Sequence, residues 1–366
     1  DVLRLQSEVA RAIAHQIKVT LTPQEQARMV EARPINPEAY QAYLNGRFYW
    51  NKRTPEALEK SIDYFEQASR IDPSFSPAYA GLADSYVLYA SGRFAPPAEG
   101  YPRTKAKAAA LKALELDDTL AEAHYALARV LDNYEWDWSG AEREYQRALA
   151  LSPNYALAHQ YYGLHLSIMG RHEEGIAAAR RAVELDPVSA PINNSLGTRL
   201  LNARRYDEAI EQYRKTLELH PDFVFAQSNM GETYSRKGMG EEAVTLLERL
   251  SRLSEGKPGE LAKLAIAYAL AGKKAEARKL LNELTNPSKP HHILPYPTAS
   301  VHAALGEKEQ AFEWLERAYN QRDPELVFLN TELVLDGLRA DPRFADLVRR
   351  VGLPPLAPMP KSIPSR

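Results

Sequence analysis

The chain has 366 residues, 45% of them hydrophobic and 26% charged, which is the composition of a folded protein and not of a disordered one. Its formal net charge of −2 argues against binding to nucleic acid, because a duplex partner usually requires a basic stripe. The absence of cysteine excludes disulfides, thiolate catalysis and thiolate metal sites.

Residues 1–36 are predicted to form an N-terminal helical cap or linker. Apolar residues recur every four positions over residues 2–18, which predicts an amphipathic helix. Thr22 and the proline after it are typical of a helix start, and this second helix is expected to run to about Ala32. Asn36 is the expected cap of the next helix. The recurring apolar residues of the first helix are Leu5, Val9, Ile13 and Ile17.

Residues 37–320 carry an internal repeat. Pro153, Pro187 and Pro221 are 34 residues apart, and the segments between them share one order of small and large apolar residues. Small residues allow two helices to approach closely, and each proline ends a helix because it has no backbone N–H. This spacing predicts about eight helix–turn–helix units, with an insertion of roughly eleven residues around 91–102.

The C-terminal part departs from this repeat. A proline-rich junction at 287–297 precedes a weaker eighth unit. Residues 321–352 are predicted to form a helical cap, with a helix start at Asp341. Residues 353–366 contain five prolines and are predicted to be an extended tail.

The sequence leaves the cellular compartment open. No apolar run reaches the length of about 18 residues that spans a membrane, so we expect no membrane insertion by this chain. The first residue is Asp1 and not methionine, which suggests a processed product or a piece of a longer protein. An extracytoplasmic location, periplasmic or secreted, is favoured over a cytoplasmic one.

The 34-residue period and its pattern of small and large residues resemble the tetratricopeptide repeat. The resemblance implies an all-α fold, a right-handed α-solenoid of about eight repeats with helical caps. Four further segments resemble the C-terminal repeat arrays of bacterial CadC-like, cyclase-related or kinase-linked multidomain proteins. These segments are Leu5–Ile13, Tyr40–Gly46, Tyr134–Gly140 and Arg339–Phe344.

In such a solenoid the first helices line a concave groove, and this groove is the predicted site for a protein or peptide segment. Polar uncharged side chains would bond the backbone of the segment, and Tyr125 and Leu164 would supply apolar contact. A carboxylate clamp of lysine, asparagine and arginine, as some family members have, is absent from these positions. The predicted groove residues are Tyr125, Arg129, Asp132, Gln160, Leu164, Asn194, Thr198, Ser228 and Glu232.

Three functions are compatible with this pattern. The preferred one is a non-enzymatic scaffold for protein–protein interaction. The second is a structural subunit that assembles head to tail into a filament or homo-oligomer through the solenoid ends and the proline-rich tail. The third is the sensory module of a bacterial transcription regulator or kinase.

Three other features of the sequence could suggest a binding or catalytic site. Trp136 and Trp138 lie on a turn, where they are either interface anchors or fold back on the neighbouring insertion. His291 and His292 have no third metal ligand at a visible spacing, so no metal and no cofactor is predicted. The sequence contains no recognisable set of nucleophile, base and orienting residue, and we therefore predict no enzymatic activity.

Overall fold

The computed structural model describes residues 36–89, 101–286, 288 and 293–355, with the backbone alone for residues 101 and 102. These residues form seventeen α-helices and no strand. The helices predicted before residue 36, most of the insertion around 91–102, the pair His291 and His292, and the tail beyond residue 355 lie outside the described residues.

The first sixteen helices form the eight predicted hairpins, each with a first and a second helix. In order they are α1 (Pro37–Asn51), α2 (Pro55–Ile71), α3 (Ser76–Tyr89), α4 (Tyr101–Leu116), α5 (Ala121–Val130), α6 (Trp138–Leu151), α7 (Ala156–Ile168), α8 (His172–Leu185), α9 (Ala190–Asn202), α10 (Tyr206–Leu219), α11 (Val224–Lys237), α12 (Gly240–Leu253), α13 (Pro258–Leu270), α14 (Lys274–Leu284), α15 (Pro295–Leu305) and α16 (Lys308–Asn320). A π-helical turn, Leu131–Glu135, extends α5. After α16 come the 3₁₀ turns Pro324–Phe328 and Leu333–Leu338 and the last helix, α17 (Pro342–Val351).

Side chains of the residues before several helices satisfy the first free N–H groups. The Oδ1 atom of Asn36 accepts from the N–H of Glu38 at 2.9 Å, which confirms the predicted cap of α1. Asp341 caps α17 in the same way, accepting from the N–H of Arg343 at 3.0 Å. The helix start predicted at Asp341 is therefore confirmed.

The two helices of repeat four pack backbone to backbone. A Cβ atom added to Gly163 would lie 2.8 Å from the carbonyl oxygen of Gly175, and a Cβ on Gly175 would lie 2.8 Å from the carbonyl oxygen of Gly163. Only glycine allows this separation. Elsewhere in the array the equivalent space is filled by a large ring, such as Tyr213, which lies against Gly197 and is fully buried.

The array curves because first helices lie closer together than second helices. Contacts join the first helices of neighbouring repeats along most of the array, including α3 with α5, α9 with α11 and α13 with α15. Among the described helices, no neighbouring pair of second helices has contacts of similar extent. The first helices consequently line the concave surface, as the resemblance implied.

The C-terminal segment (residues 321–353) does more than cap the last repeat. Leu326, Leu335 and Leu338 are buried in one cluster with α15 and α16, and the same cluster includes side chains of repeats three and four. The prediction of a simple end cap therefore needs correction. The segment leaves α16, crosses the edge of the concave surface and contacts repeats three to six.

Candidate functional site

In the seven hairpins whose turn the structure describes, one turn position has a positive φ. Two residues before the second helix, repeats four, six, seven and eight have a glycine with positive φ. Repeats one, three and five have Arg53, Trp136 and Arg204 there, with φ of 55°, 56° and 61°. A side chain in this conformation costs on the order of 1 kcal/mol, so each is a candidate for function. The glycines are Gly170, Gly238, Gly272 and Gly306.

Trp136 and Trp138 contact the C-terminal segment. The ring centres of Trp136 and Tyr319 are 5.8 Å apart, and the guanidinium of Arg322 lies 4.2 Å from the centre of the Trp136 ring. The Nε1 atom of Trp138 donates to the carbonyl oxygen of Val351 at 3.1 Å. Both indoles are less than 10% exposed. Both hold a segment of their own chain, and the structure does not present them as exposed anchors for a partner.

Two arginines at the ends of first helices bind acidic residues of the C-terminal segment. Arg204 Nη2 lies 2.6 Å from Asp336 Oδ2, and Arg236 Nη2 lies 2.5 Å from Glu332 Oε1. The Arg236 side chain is only 5% exposed. Burial raises the pKa of the Glu332 carboxyl, and the nearby Arg236 guanidinium opposes that rise. This edge of the concave surface therefore binds an acidic, irregular segment through arginine–carboxylate pairs.

The predicted groove residues of repeats three and four are inside the packing. Tyr125, Arg129, Asp132 and Gln160 are each at most 6% exposed. The side chains of these four residues form hydrogen bonds with residues of other helices and not with solvent. The prediction of an open groove at these four positions needs correction, because their side chains are buried against residues of other helices.

The bonds of these four residues are specific. Asp84 Oδ1 accepts from the hydroxyl of Tyr125 at 3.2 Å and from Nη1 of Arg129 at 3.0 Å. Asp132 Oδ1 lies 2.9 Å from Nδ1 of the buried His165. The amide of Gln160 points to the neighbouring repeat, with Nε2 3.4 Å from the carbonyl oxygen of residue 191.

Three further predicted residues also have partners within the chain. Leu164 is partly buried against the cluster that contains the C-terminal segment. Ser228 is fully buried, and its hydroxyl donates to the carboxylate of Glu260 at 2.9 Å. Glu232 is partly exposed, with its carboxylate 3.8 Å from Arg236.

Asn194 and Thr198 belong to a polar row on α9, α11 and α13. Nδ2 of Asn229 donates to Oδ1 of Asn194 at 3.1 Å and to Oγ1 of Thr198 at 3.4 Å. Nζ of Lys263 donates to Oδ1 of Asn229 at 3.2 Å and to the Ser228 hydroxyl at 2.9 Å. We call Asn194, Asn229 and Lys263 the polar row. All three are partly exposed, so the row is accessible along the concave surface of repeats five to seven.

Sequence reasoning missed Asn229 and Lys263. The strict 34-residue spacing leads from Asn194 to Ser228, and the structure shows that the next residue, Asn229, reaches Asn194 instead. A search that allowed a shift of one residue would have found the three-residue row. Asp84 was missed because nothing in the sequence links it to Arg129, which is 45 residues away.

Two negative findings concern only the residues that the structure describes. None of their helices is long and apolar enough to cross a membrane. None of their His, Asp and Glu side chains form a group of three that could hold a metal ion.

Comparison with known proteins agrees with this architecture. A family model described as tetratricopeptide repeat matches residues 137–190 and 194–258. No curated protein sequence matches the chain.

Among solved structures, yeast Tom70 is similar over 87% of this chain and 69% of its own, with 17% identity and a TM-score of 0.51. A human IFIT1 dimer with m7Gppp-AAAA is similar over 72% of this chain and 68% of its own, with 17% identity and a TM-score of 0.52. Pseudomonas aeruginosa pilF matches 60% of this chain and 96% of its own at 22% identity, with a TM-score of 0.44. At these identities the likeness concerns the fold alone. Residues 137–190 and 194–258 of this chain are thus tetratricopeptide repeats, and the other described hairpins have the same helix–turn–helix arrangement.

Proposed function

We propose that this tetratricopeptide-repeat protein is a scaffold that binds an extended protein segment on the concave surface of repeats five to seven. Tetratricopeptide-repeat proteins generally mediate protein–protein interactions. The observation that carries the proposal is the polar row, in which partly exposed amides and an ammonium group follow one another across three first helices.

The hydrogen bonds within the polar row leave the amide nitrogen of Asn194, at one end of the row, available to a bound segment. Both N–H groups of Asn229 bond to its neighbours, and its Oδ1 accepts from Lys263. The amide nitrogen of Asn194, in contrast, has no hydrogen-bond partner within the described part of the chain. It is therefore free to donate to a carbonyl oxygen of a bound segment, while Lys263 can bind a carboxylate.

The contacts of the C-terminal segment support this placement. Its turns lie against the ends of the first helices, where Arg204 and Arg236 bind Asp336 and Glu332. The polar row lies on the same helices, α9 and α11, and its Asn194 is ten residues before Arg204. We infer that a partner segment runs alongside the C-terminal segment and uses the row for its backbone.

The test uses peptides selected on the protein itself. Twelve-residue peptides from a random phage-displayed library are selected on the wild-type chain, and their affinities are measured by fluorescence anisotropy. We expect Asn194→Ala combined with Asn229→Ala to weaken binding about tenfold, since the bond from Asn194 is lost together with the side chain of Asn229 that positions Asn194 and Lys263.

The matched control is Asn154→Ala, on an exposed loop where Asn154 accepts from Arg181 at 3.0 Å. It should leave the affinity unchanged. Equal binding by the double variant, confirmed to be folded by circular dichroism, would contradict the placement on the polar row. Failure to select any peptide on the wild-type chain would contradict the scaffold proposal itself.

A further inference from the structure

A second group of polar and aromatic side chains lies in the concave surface of repeats one to four. We call it the arginine–aromatic cluster and define it as Arg47, Trp50, Arg53, Arg129 and Tyr161. Trp50 is fully buried and packs with Leu58 and Leu88, against Leu157 of repeat four. Repeats one and four thus meet across the concave surface at this place.

The cluster contains three guanidinium groups. Those of Arg47 and Arg53 lie 4.9 and 3.6 Å from the centre of the Trp50 ring, and that of Arg129 lies 3.6 Å from the centre of the Tyr161 ring. Arg129 is paired with Asp84. Arg47 and Arg53 form no ion pair with any residue that the structure describes. The site therefore has more positive than negative charge in a partly desolvated place.

Four buried polar atoms here have no hydrogen-bond partner among the described residues. Three are donors, the Nε1 of Trp50 and the Nε atoms of Arg53 and Arg129, and the fourth is an acceptor, Oδ2 of Asp84. Asp84 is 2% exposed and Arg129 is 4% exposed. Unpaired buried polar atoms are costly, at about 1–3 kcal/mol each, so several of them in one place indicate a ligand that completes their bonds.

The titration of the tyrosines agrees with an excess of positive charge. Burial raises the pKa values of Tyr125 and Tyr155. Burial would also raise the pKa of Tyr161, but the guanidinium groups of Arg129 and Arg53 outweigh it and the pKa is lowered. An anion is the ligand that such a site favours.

The turn conformation of Arg53 also supports an anionic ligand. Arg53 occupies the position where four other repeats have glycine, with φ of 55°. At the same position, Arg204 binds Asp336 and Trp136 binds Tyr319 and Arg322. Among the described residues, the Arg53 guanidinium stacks on the Trp50 ring and forms a side-chain hydrogen bond with Tyr161, while its Nε atom has no partner. Its guanidinium therefore remains available for a carboxylate.

We propose that the arginine–aromatic cluster binds an acidic side chain of a partner's protein segment, with the carboxylate between Arg47 and Arg53 and a neighbouring backbone N–H donating to Asp84. A peptide carries both a carboxylate and an N–H donor, which matches the three unpaired donors and one unpaired acceptor. A phosphate dianion carries no such donor, and the Asp84 carboxylate repels it. This inference rests on the proposed function, because it assigns a second contact to the same kind of partner.

The test compares ten-residue peptides of alternating Glu and Ser with the matching Gln and Ser peptides, using fluorescence anisotropy on the full chain. Wild-type protein is expected to bind the Glu peptide at least tenfold more tightly than the variant Arg47→Gln with Arg53→Gln, since charge-assisted hydrogen bonds are strong. The control Arg143→Gln with Arg147→Gln removes the same charge from the exposed face of α6 and should bind like wild type. If the double variant does not fold, the single variant Arg47→Gln is measured in its place and is also expected to bind the Glu peptide more weakly than wild type.

Equal binding of the Glu peptide by the wild-type chain and the cluster variants would overturn the inference. So would tighter binding of a phosphoserine peptide that is lost in the same variants, because it would assign the site to phosphate. If Glu binding is lost only on Asn194→Ala with Asn229→Ala, the inference fails while the proposed function stands. If library-selected peptides do not bind the wild-type chain at all, the proposed function fails.

Discussion

At the scale of single residues, two glycines determine how closely the helices of repeat four pack. Gly163 and Gly175 face each other, and each lies where a Cβ would contact the backbone of the other helix. The small residues of the repeat predicted that its two helices approach closely. It could not predict that the partner would be a backbone carbonyl in repeat four and a tyrosine ring at Gly197, because that depends on the side chain of the facing helix.

We expect Gly163→Ala to destabilise the fold by about 1–3 kcal/mol, as overpacking of a core does. A backbone carbonyl cannot rotate away as a side chain can, so the helices must separate. Chemical denaturation gives the change in the free energy of unfolding. Gly259→Ala is the control, since a Cβ there meets open space, and it should be close to neutral. Equal effects of both substitutions would contradict the backbone contact.

At the scale of elements, the C-terminal segment is held by contacts between parts of the chain that are far apart in sequence. The bond from Trp138 to Val351 joins residues 213 positions apart, and the pair of Arg236 and Glu332 joins residues 96 apart. The period of 34 residues predicts contacts between neighbouring hairpins only. For this reason the sequence indicated the hairpins and the start of α17 but not the return of this segment to repeat three.

A double-mutant cycle on Arg236→Ala and Glu332→Ala measures how strongly the segment is held. The side chains are 5% and 19% exposed, so we expect a coupling energy clearly above the value of about 0–1 kcal/mol for surface pairs. The exposed pair Lys215 and Glu211, 3.7 Å apart on α10, is the control cycle. Equal coupling in the two cycles, measured by denaturation, would argue that Glu332 does not hold the segment in solution.

At the scale of the whole molecule, both proposed binding surfaces lie on the concave side of the array and result from its curvature. Because first helices pack more closely than second helices, repeats one and four meet at Trp50, and the C-terminal segment reaches repeats three to six. The repeat pattern predicted the solenoid and its concave side. It did not predict how much of the concave side the chain itself would occupy. That extent depends on the small rotations between successive repeats, which add up along the array, and on the C-terminal segment, which does not follow the repeat.

The most direct test measures the distance from repeat three to α17. The cysteine-free chain allows spin labels at only two sites, Ser139→Cys on α6 and Ala345→Cys on α17, both exposed. Double electron–electron resonance should give a narrow distribution below about 30 Å, since Trp138 contacts Val351 and the six residues from 345 to 351 span about 9 Å of helix. A broad distribution centred near 45 Å, about five steps of 8–10 Å along an uncurled array, would contradict the account.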